Sequence, residues 1–267
     1  MSYPFFIWTM HRSGGTSLIR LLLAMSEHKT AEPEPFNWGR SRTRQFAYVT
    51  IHWRKTRDEA AFASALADIF AQNYNIKHCY QMFSPQFNRN IMKAAALTEY
   101  RHIFLRRRDE LARVVSQFVA EATGGWHPER ANQVFANVRN GRRKLPAIPV
   151  DEAIARFLSA RQRTEEIAGL LQEFAVPSHE ITHEDLYAGS REARLSRLNE
   201  IFAFLGFSPE VIESHRAAIE EKIFNRGQNT PSVAPYVPNL EAVVAAVRAA
   251  GYEPPADGLE TEERRSL

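Results

Sequence analysis

The chain contains a single cysteine, Cys79, among 267 residues. One thiol cannot form a disulfide within the chain, so packing and hydrogen bonds must stabilise the fold. Zinc sites need clusters of Cys and His ligands at close spacing, and the sequence shows no such spacing. The sequence therefore predicts a protein without a metal site that works in a reducing compartment.

Long apolar runs are missing as well. No uninterrupted run approaches the ~20 residues that a membrane-spanning helix needs, because Arg20 interrupts the richest one. The apolar N-terminus has no basic segment before it and continues directly into a glycine-rich loop, which is unlike a signal peptide. We expect a soluble, cytoplasmic protein.

Charge of neither sign is in large excess. Lys and Arg number 34 and Asp and Glu 31, which gives a net charge of +3 at pH 7. This mild basic excess is compatible with an anionic ligand but too weak to indicate nucleic-acid binding. With 44% hydrophobic residues, the chain can form one large domain with a sizeable core.

The most informative stretch runs from Phe5 to Leu23, where an apolar run breaks into a glycine loop and a helical pattern follows. Loop amides and the first free N–H groups of a helix converge on one point, and the helix dipole adds partial positive charge there. The pattern predicts a loop that binds a phosphate or sulfate group. Its residues are Arg12, Ser13, Gly14, Gly15, Thr16 and Ser17.

This loop lacks the lysine of nucleoside-triphosphate-binding loops. Those loops read Gly-x-x-x-x-Gly-Lys-Ser/Thr, with the lysine on the outer phosphates and the hydroxyl on magnesium. Here the cation is Arg12, which precedes the glycines and can bind two oxygens of a phosphate or sulfate without a metal. The alternative is a strand-to-helix turn whose glycines only relieve backbone strain.

Strand-like runs alternate with helical patterns as far as Thr182, which predicts an α/β fold with a parallel sheet flanked by helices. The strand-like runs are Pro4–Met10, Ala47–Trp53, His78–Phe83, His102–Arg107 and Ser178–Thr182. The helical patterns are Thr16–Ser26, Asp58–Asn73, Arg89–Thr98, Asp109–Ala122, Val150–Phe174, Glu192–Leu205, Pro209–Ile223 and Asn239–Ala250. We expect loops at 126–149 and 225–238, a helical C-terminal region, one domain over 1–253 and a disordered tail over 254–267.

A second candidate anion site follows the fourth strand-like run. The arginines 106–108 are costly at the end of an apolar strand unless an anion or carboxylates lie near them. Asp109 is suited to cap the next helix, from which Ser116 would project near the same sheet edge. Ligands of parallel sheets bind beyond the carboxyl ends of the strands, so we expect both segments to open on one edge. The alternative is a solvated basic turn.

Together the two segments resemble the sulfotransferase family. Its members transfer a sulfuryl group from 3′-phosphoadenosine-5′-phosphosulfate (PAPS) to an acceptor hydroxyl or amine. The family's 5′-phosphosulfate loop is similar to residues 12–17, and its 3′-phosphate signature pairs an Arg after a strand with a Ser on the next helix, as in Arg107 and Ser116. The sequence of residues 106–127 most resembles that of the bacterial carbohydrate-type branch, which includes trehalose sulfotransferases.

The resemblance covers roughly Phe5 to Phe207 and includes His183-Glu184-Asp185-Leu186, where relatives carry Tyr-Glu-Asp-Leu. It implies a P-loop-like three-layer fold, PAPS as co-substrate with adenosine 3′,5′-bisphosphate as product, no metal, and a small-molecule or glycan acceptor. It also implies that His183 approaches the adenosine and that Arg226 lies in a loop closing over the 3′-phosphate. An ordinary buried or capping role is the alternative for His183. Homo-oligomer formation is left open.

The catalytic base is expected between Ala31 and Asn37, because the acceptor hydroxyl must lose its proton to a group within hydrogen-bond reach. Prolines on either side of Glu34 fix where its carboxylate points. The bacterial branch has a similar Glu-Pro segment, with which Glu32 aligns. We favour Glu34 as the base, with Glu32 as its rival. Arg12 is expected to offset the charge that accumulates on the leaving oxygen.

Two further functions remain as alternatives. A metal-dependent P-loop kinase or nucleotide hydrolase fits poorly, because Gly-Lys-Ser/Thr and a clear acidic strand for magnesium are absent from the sequence. A non-enzymatic nucleotide-binding protein on the same fold is the other, because a fold does not determine a function. The catalytic His of cytosolic sulfotransferases has no counterpart, since that region reads Cys79 to Met82 and His78 lies too early.

Overall fold

The computed structural model describes residues 2–30, 34–37, 39, 41, 43–126, 128–224 and 230–255. In this part of the chain, four strands form one sheet in the order β2-β1-β3-β4, and every neighbouring pair is parallel. The strands are β1 Phe5–Thr9, β2 Ile76–Cys79, β3 Arg101–Arg106 and β4 Ser178–Thr182. The predicted α/β fold, with helices flanking a parallel sheet, is confirmed.

Helices connect and follow these strands. They are α1 Gly15–Met25, α2 Arg44–Thr56, α3 Glu59–Phe70, α4 Pro85–Ala95, α5 Glu110–Thr123, α6 Pro128–Arg139, α7 Val150–Glu173, α8 His183–Tyr187, α9 Arg191–Leu205, α10 Pro209–Ser214, α11 Arg216–Ile219 and α12 Leu240–Ala249. No helix in the described ranges is long and apolar enough to cross a membrane.

The strand register brings three carboxyl ends to one edge of the sheet. Thr9 at the end of β1 pairs with Cys79 at the end of β2 and with Leu105 near the end of β3. Parallel sheets are covered on both faces, and β1 is accordingly buried throughout. Whatever follows β1 and β2 along the chain therefore emerges at this common edge.

The two faces of β1 pack against different layers because successive side chains point to opposite sides. Phe5 and Ile7 belong to an aliphatic core that includes residues of α1, α9, β3 and β4. Phe6 and Trp8 lie in an aromatic layer with two histidines, His78 and His102. In this layer the Trp8 indole N–H donates to His102 Nδ1 over 2.9 Å.

One predicted strand was wrong. Ala47–Trp53 lies within α2, whose buried face carries Phe46, Val49, Thr50 and Trp53. These positions recur at the spacing of helical turns, which outweighs the strand preference of the β-branched residues between them. His52 and Trp53 therefore lie on a helix, not at a strand end, and the Trp53 ring packs against Phe62.

One predicted loop was also wrong. Segment 126–149 contains α6, in which Ala131, Val134, Phe135 and Val138 are buried. The Asn and Arg residues of the segment suggested a loop, but the apolar residues beneath them follow the helical period. In segment 225–238, residues 225–229 lie outside the described part of the chain, and two 3₁₀ turns follow at Thr230–Ser232 and Ala234–Tyr236.

Several element boundaries also differ from those predicted. β2 ends at Cys79, and Tyr80–Met82 form a 3₁₀ turn. α4 begins at Pro85, where Ser84 accepts a hydrogen bond from Phe87 N and Pro85 occupies the first turn. The predicted helix Pro209–Ile223 divides into α10, α11 and a π-helical turn at Glu220–Phe224.

The chain divides into two compact units. The first comprises Met1–Arg106 and Arg163–Asn225, and the second comprises Arg107–Gln162 and Arg226–Leu267. The sheet and the aliphatic core belong to the first unit. The second unit has its own core, formed by residues such as Phe118, Phe135 and Val243. One domain over 1–253 stays a prediction, and the expected disorder of the tail concerns residues that lie almost entirely outside the described part.

Candidate functional site

The glycine loop joins β1 to α1 at the common edge of the sheet. Gly14 has a φ of +82°, a conformation that glycine adopts without steric cost, and α1 begins at the next residue. The Gly14 carbonyl accepts hydrogen bonds from Ser17 N and Leu18 N, so the first turn of the helix starts in the loop. The Ser13 hydroxyl is buried without a hydrogen-bond partner in the described chain. The strand, loop and helix start expected from the sequence are therefore present, and anion binding by the loop stays a prediction.

Helix α8 packs over the loop. The Tyr187 hydroxyl donates to the Gly14 carbonyl over 2.9 Å, and the Tyr187 and His183 rings lie 4.8 Å apart. A Cβ atom on Gly14 would lie 2.3 Å from Tyr187 Cε2 and 2.9 Å from His183 Nδ1. Gly14 is therefore required by space as well as by its backbone conformation. The approach of His183 to an adenosine stays a prediction.

A lysine reaches the loop from the neighbouring strand. Lys77 pairs with Ile7 across β2 and β1, and its side chain is only 4% exposed. Its Nζ lies 3.4 Å from Thr16 Oγ1, in the first turn of α1, and 2.9 Å from Glu34 Oε1. The lysine that the loop sequence lacks is thus supplied by β2. A lysine within a short buried strand was the sequence signal that could have identified it.

Glu34 is the centre of a buried polar cluster. Its Oε1 accepts hydrogen bonds from Lys77 Nζ and from Cys79 Sγ, the latter over 3.3 Å. Its Oε2 lies 3.7 Å from His11 Nε2 and 3.4 Å from Asn37 Nδ2. Burial alone would raise the pKa of Glu34, but the contacts with His11 and Lys77 outweigh burial and hold it well below its usual range. Glu34 is therefore a carboxylate held beside the glycine loop.

Two site residues have left-handed backbone conformations. Arg12 has a φ of 69° and Glu34 a φ of 63°. The other non-glycine residues with positive φ in the described chain, Arg57, Asn73 and Ala175, all follow the C-terminal ends of helices, where this conformation is common. No helix end accounts for Arg12 and Glu34. Strain of this kind costs of order 1–3 kcal/mol per residue and concentrates at ligand-binding sites.

The residues of the second candidate anion site belong to the second unit. Arg107 begins this unit, directly after β3 in the chain. Ser116 lies on α5, is 2% exposed, and its hydroxyl lies 3.1 Å from that of Thr230. Asp109 caps α5 as expected, since its side chain accepts from Ala112 N. Binding of a 3′-phosphate by Arg107 and Ser116 stays a prediction.

Two candidate residues, Glu32 and Arg226, lie outside the described residues. Of the two candidate bases, the structure therefore describes only Glu34.

The structure also brings together three potential metal ligands that the sequence keeps apart. His11, Glu34 and Cys79 each offer one ligand atom, and these atoms lie within 4.8 Å of one another. The expectation of no ligand cluster rested on sequence spacing, and these residues come from three separate segments. Comparisons of the chain with protein-family models, curated proteins and solved structures find no match. Any functional assignment therefore rests on the geometry of the site and on the sequence motifs.

Proposed function

We propose that this protein is a sulfotransferase that moves a sulfuryl group from PAPS to an acceptor hydroxyl. The observation that carries the proposal is the buried ion pair between Lys77 and Glu34 at the glycine loop. One site then combines an anion-binding loop, a cation for the leaving group and a carboxylate for the acceptor proton. The loop and the segment that contains Arg107 and Ser116 resemble those of sulfotransferases, and this resemblance identifies PAPS as the proposed sulfuryl donor. We include a P-loop-like fold in the same proposal.

In this mechanism the loop amides, Arg12 and Lys77 hold the 5′-phosphosulfate. The acceptor oxygen attacks sulfur in line, the bond from sulfur to the phosphate oxygen breaks, and the electron pair stays on that oxygen. Lys77 and Arg12 offset its charge, and donors aimed at developing charge commonly contribute about 3 kcal/mol each. Glu34 accepts the proton of the acceptor hydroxyl.

The same ion pair gives the site a way to activate its base. Without an anion, the contacts with His11 and Lys77 keep the pKa of Glu34 low, which makes the carboxylate a weak base. A phosphate oxygen near Thr16 competes with Glu34 for Lys77, whose Nζ is already within 3.4 Å of Thr16 Oγ1. As Lys77 turns to the anion, the pKa of Glu34 rises toward its ordinary value. Binding of PAPS, the sulfuryl donor, thus makes Glu34 a stronger base.

The acceptor is proposed only as a class. Similarity of residues 106–127 to the carbohydrate-type branch favours a hydroxyl on a carbohydrate or glycolipid. Asn37 and Met82 contact one another beside Glu34, over 3.8 Å between Nδ2 and Sδ, and the Met82 side chain is partly exposed. A polar amide next to an exposed apolar group suits a sugar ring.

The kinase alternative retains one specific observation. Lys77 lies beside the Thr16 hydroxyl, so a lysine and a hydroxyl meet at the loop, as they do in magnesium-dependent nucleotide-binding loops. Glu34 could then serve as the acidic ligand of magnesium. The two functions differ in the nucleotide that stabilises the protein.

A thermal-shift titration distinguishes them. We expect adenosine 3′,5′-bisphosphate to raise the melting temperature and ATP with magnesium to leave it unchanged, since a ligand at 100 times its Kd stabilises by about 2.7 kcal/mol. Arg12→Ala should weaken bisphosphate binding by about 1.5–3 kcal/mol, as expected for hydrogen bonds to charged groups. Arg20→Ala, exposed on α1, is the matched control. Stabilisation by ATP and magnesium alone would overturn the proposal in favour of a kinase.

The second anion site is tested separately. Arg107→Ala and Ser116→Ala should each weaken bisphosphate binding by about 1.5–3 kcal/mol, with the exposed Arg108→Ala as control. Equal affinity in all three variants would remove the 3′-phosphate assignment. With labelled PAPS and a panel of sugar acceptors, Glu34→Gln should lower turnover and leave bisphosphate affinity intact.

A further inference from the structure

The cluster of His11, Glu34 and Cys79 combines three ligand types in one place. The imidazole comes from the glycine loop, the carboxylate from the segment before α2, and the thiol from the last residue of β2. Cys79 and Glu34 are buried, while the His11 side chain is 21% exposed and opens the cluster to solvent. Borderline-soft divalent ions such as Zn²⁺ prefer nitrogen, oxygen and sulfur ligands of this kind.

The spacing of the cluster is close to that of tetrahedral coordination. Zinc binds sulfur at about 2.3 Å and nitrogen or oxygen at about 2.0–2.2 Å, which places neighbouring ligand atoms of a tetrahedron about 3.3–3.7 Å apart. Two pairs of atoms lie at this spacing, Cys79 Sγ with Glu34 Oε1 over 3.3 Å and His11 Nε2 with Glu34 Oε2 over 3.7 Å. One ligand atom from each of the three residues lies within 4.8 Å of the other two. We infer that His11, Glu34 and Cys79 bind one Zn²⁺ ion, with the fourth position open to water or an anion.

Zinc and Lys77 compete for the same carboxylate. Lys77 neutralises Glu34 in the structure, with 2.9 Å between Nζ and Oε1. When Zn²⁺ binds, the Cys79 thiol forms a bond to zinc and releases its proton to solvent, and no electron is transferred. The Lys77 ammonium then moves from Glu34 toward Thr16, which it already contacts. Zn²⁺ therefore replaces the Lys77 ammonium as the cation that contacts Glu34.

This competition gives zinc a regulatory consequence. Zinc on Glu34 occupies the oxygen atoms that the proposed function assigns to the acceptor proton, so the zinc-bound enzyme is inactive. An anion at the glycine loop that attracts Lys77 should strengthen zinc binding, and by linkage zinc should strengthen binding of that anion to the same extent. The zinc site itself does not depend on the proposed function, because it is defined without any nucleotide.

The test is a metal titration of the full chain without an affinity tag. Zn²⁺ is titrated in competition with a colorimetric chelator, and Co²⁺ is titrated by absorption spectroscopy. We expect one equivalent of each ion, with a thiolate-to-cobalt charge-transfer band and the intense visible bands of tetrahedral Co²⁺. Cys79→Ser and His11→Ala should each weaken zinc binding at least about tenfold. His52→Ala, on α2 outside the cluster, should not change it.

A charge variant gives a prediction of opposite sign. Lys77→Met removes the competing ammonium and should tighten zinc binding by about tenfold or more, because a nearby unit charge of like sign opposes the ion. Should this variant be too unstable to titrate, Lys77→Gln serves, with the zinc-induced rise in melting temperature as readout. Absence of the charge-transfer band, binding unaffected by Cys79→Ser, or weaker binding in the Lys77 variants would each overturn the inference. None of these outcomes bears on whether adenosine 3′,5′-bisphosphate binds.

Discussion

Lys77 and His78 are neighbours on β2 and both are buried, yet they lie in different environments on opposite faces of the sheet. Lys77 faces the glycine loop and forms an ion pair with Glu34. His78 faces the aromatic layer, where it packs between Trp8 and Phe83 and hydrogen-bonds Asn88 over 2.8 Å. One face therefore holds charges, and the other excludes them.

The difference lies in the partners rather than in the burial. Burial among rings lowers the pKa of His78 to about 4, although contacts with Asn88 and Glu34 oppose the shift. Burial likewise lowers the pKa of His102, on β3, to about 3. At the loop, the contacts of Glu34 with His11 and Lys77 outweigh its burial and keep its carboxylate charged. Because side chains alternate along a strand, a single strand can supply a reactive site on one face and a neutral core on the other.

The face of β2 that carries Lys77 is called the loop side. The largest expected effect comes from breaking the ion pair between Lys77 and Glu34 on this side. Lys77→Met leaves Glu34 buried without its closest cation and should lower the free energy of unfolding by about 3–5 kcal/mol. Combining it with Glu34→Gln should cost less than the sum of the two single changes. Urea denaturation measures both, with Lys93→Met, exposed on α4, as the matched control. If Lys77→Met is as stable as Lys93→Met, the charges on this face do not depend on each other.

The aromatic face should respond to acid at a higher pH than the Glu34 cluster does. His78 and His102 have lower pKa values in the folded chain than in the unfolded chain, so the unfolded state binds more protons as the pH falls. Their contribution is complete above pH ~6.5 and is lost as the pH falls toward 4 for His78 and 3 for His102. For His78 alone the loss is about 3 kcal/mol at ~1.4 kcal/mol for each unit of pKa.

Urea denaturation between pH 7 and pH 4.5 tests this difference. The free energy of unfolding should fall steadily across this window, and His102→Phe should reduce the slope. Glu34→Gln should change the slope little in this window, because a carboxylate whose pKa is lowered by folding loses its contribution to stability only below its ordinary value, near pH ~4.3. A stability that stays constant between these pH values would show that the aromatic layer accepts protons without unfolding.

The strand, loop and helix at the N-terminus could be predicted from the sequence because every signal is local. Apolar residues precede the loop, Gly14 and Gly15 mark the turn, and helical spacing follows at once. Lys77 could not be assigned in this way. Its approach to Thr16 depends on the register between β1 and β2, and strand register is a non-local property of the fold.

The cluster around Glu34 shows the same limit. Prolines beside Glu34 indicated a fixed carboxylate, and the structure does bury and fix it. Its partners His11 and Cys79 come from other segments, so no spacing in the sequence joins them. For α2 the necessary signal was present, but the β-branched residues of 47–53 favoured a strand over the correct helical period.

A glycine variant asks whether the loop side depends on shape as well as on charge. Gly14→Ala should lower the free energy of unfolding by about 2–4 kcal/mol, because an alanine must adopt a left-handed conformation and displace Tyr187. Gly189→Ala is the matched control, since Gly189 has a φ of +79° and open space around its Cβ position. Its cost should be only the backbone term, about 1–2 kcal/mol. Equal losses in the two variants would mean that Tyr187 yields without cost.

The smallest expected effect concerns the weakest donor on the loop side. In Cys79→Ser a hydroxyl replaces the thiol that donates to Glu34 Oε1, so the hydrogen bond is kept and stability should change by about 1 kcal/mol or less. Cys79→Ala removes this donor from a buried carboxylate and should cost more, about 1.5–3 kcal/mol. Both values come from urea denaturation with chelator present. If the serine variant is the less stable of the two, the Cys79 side chain stabilises this face by apolar packing rather than by its hydrogen bond to Glu34.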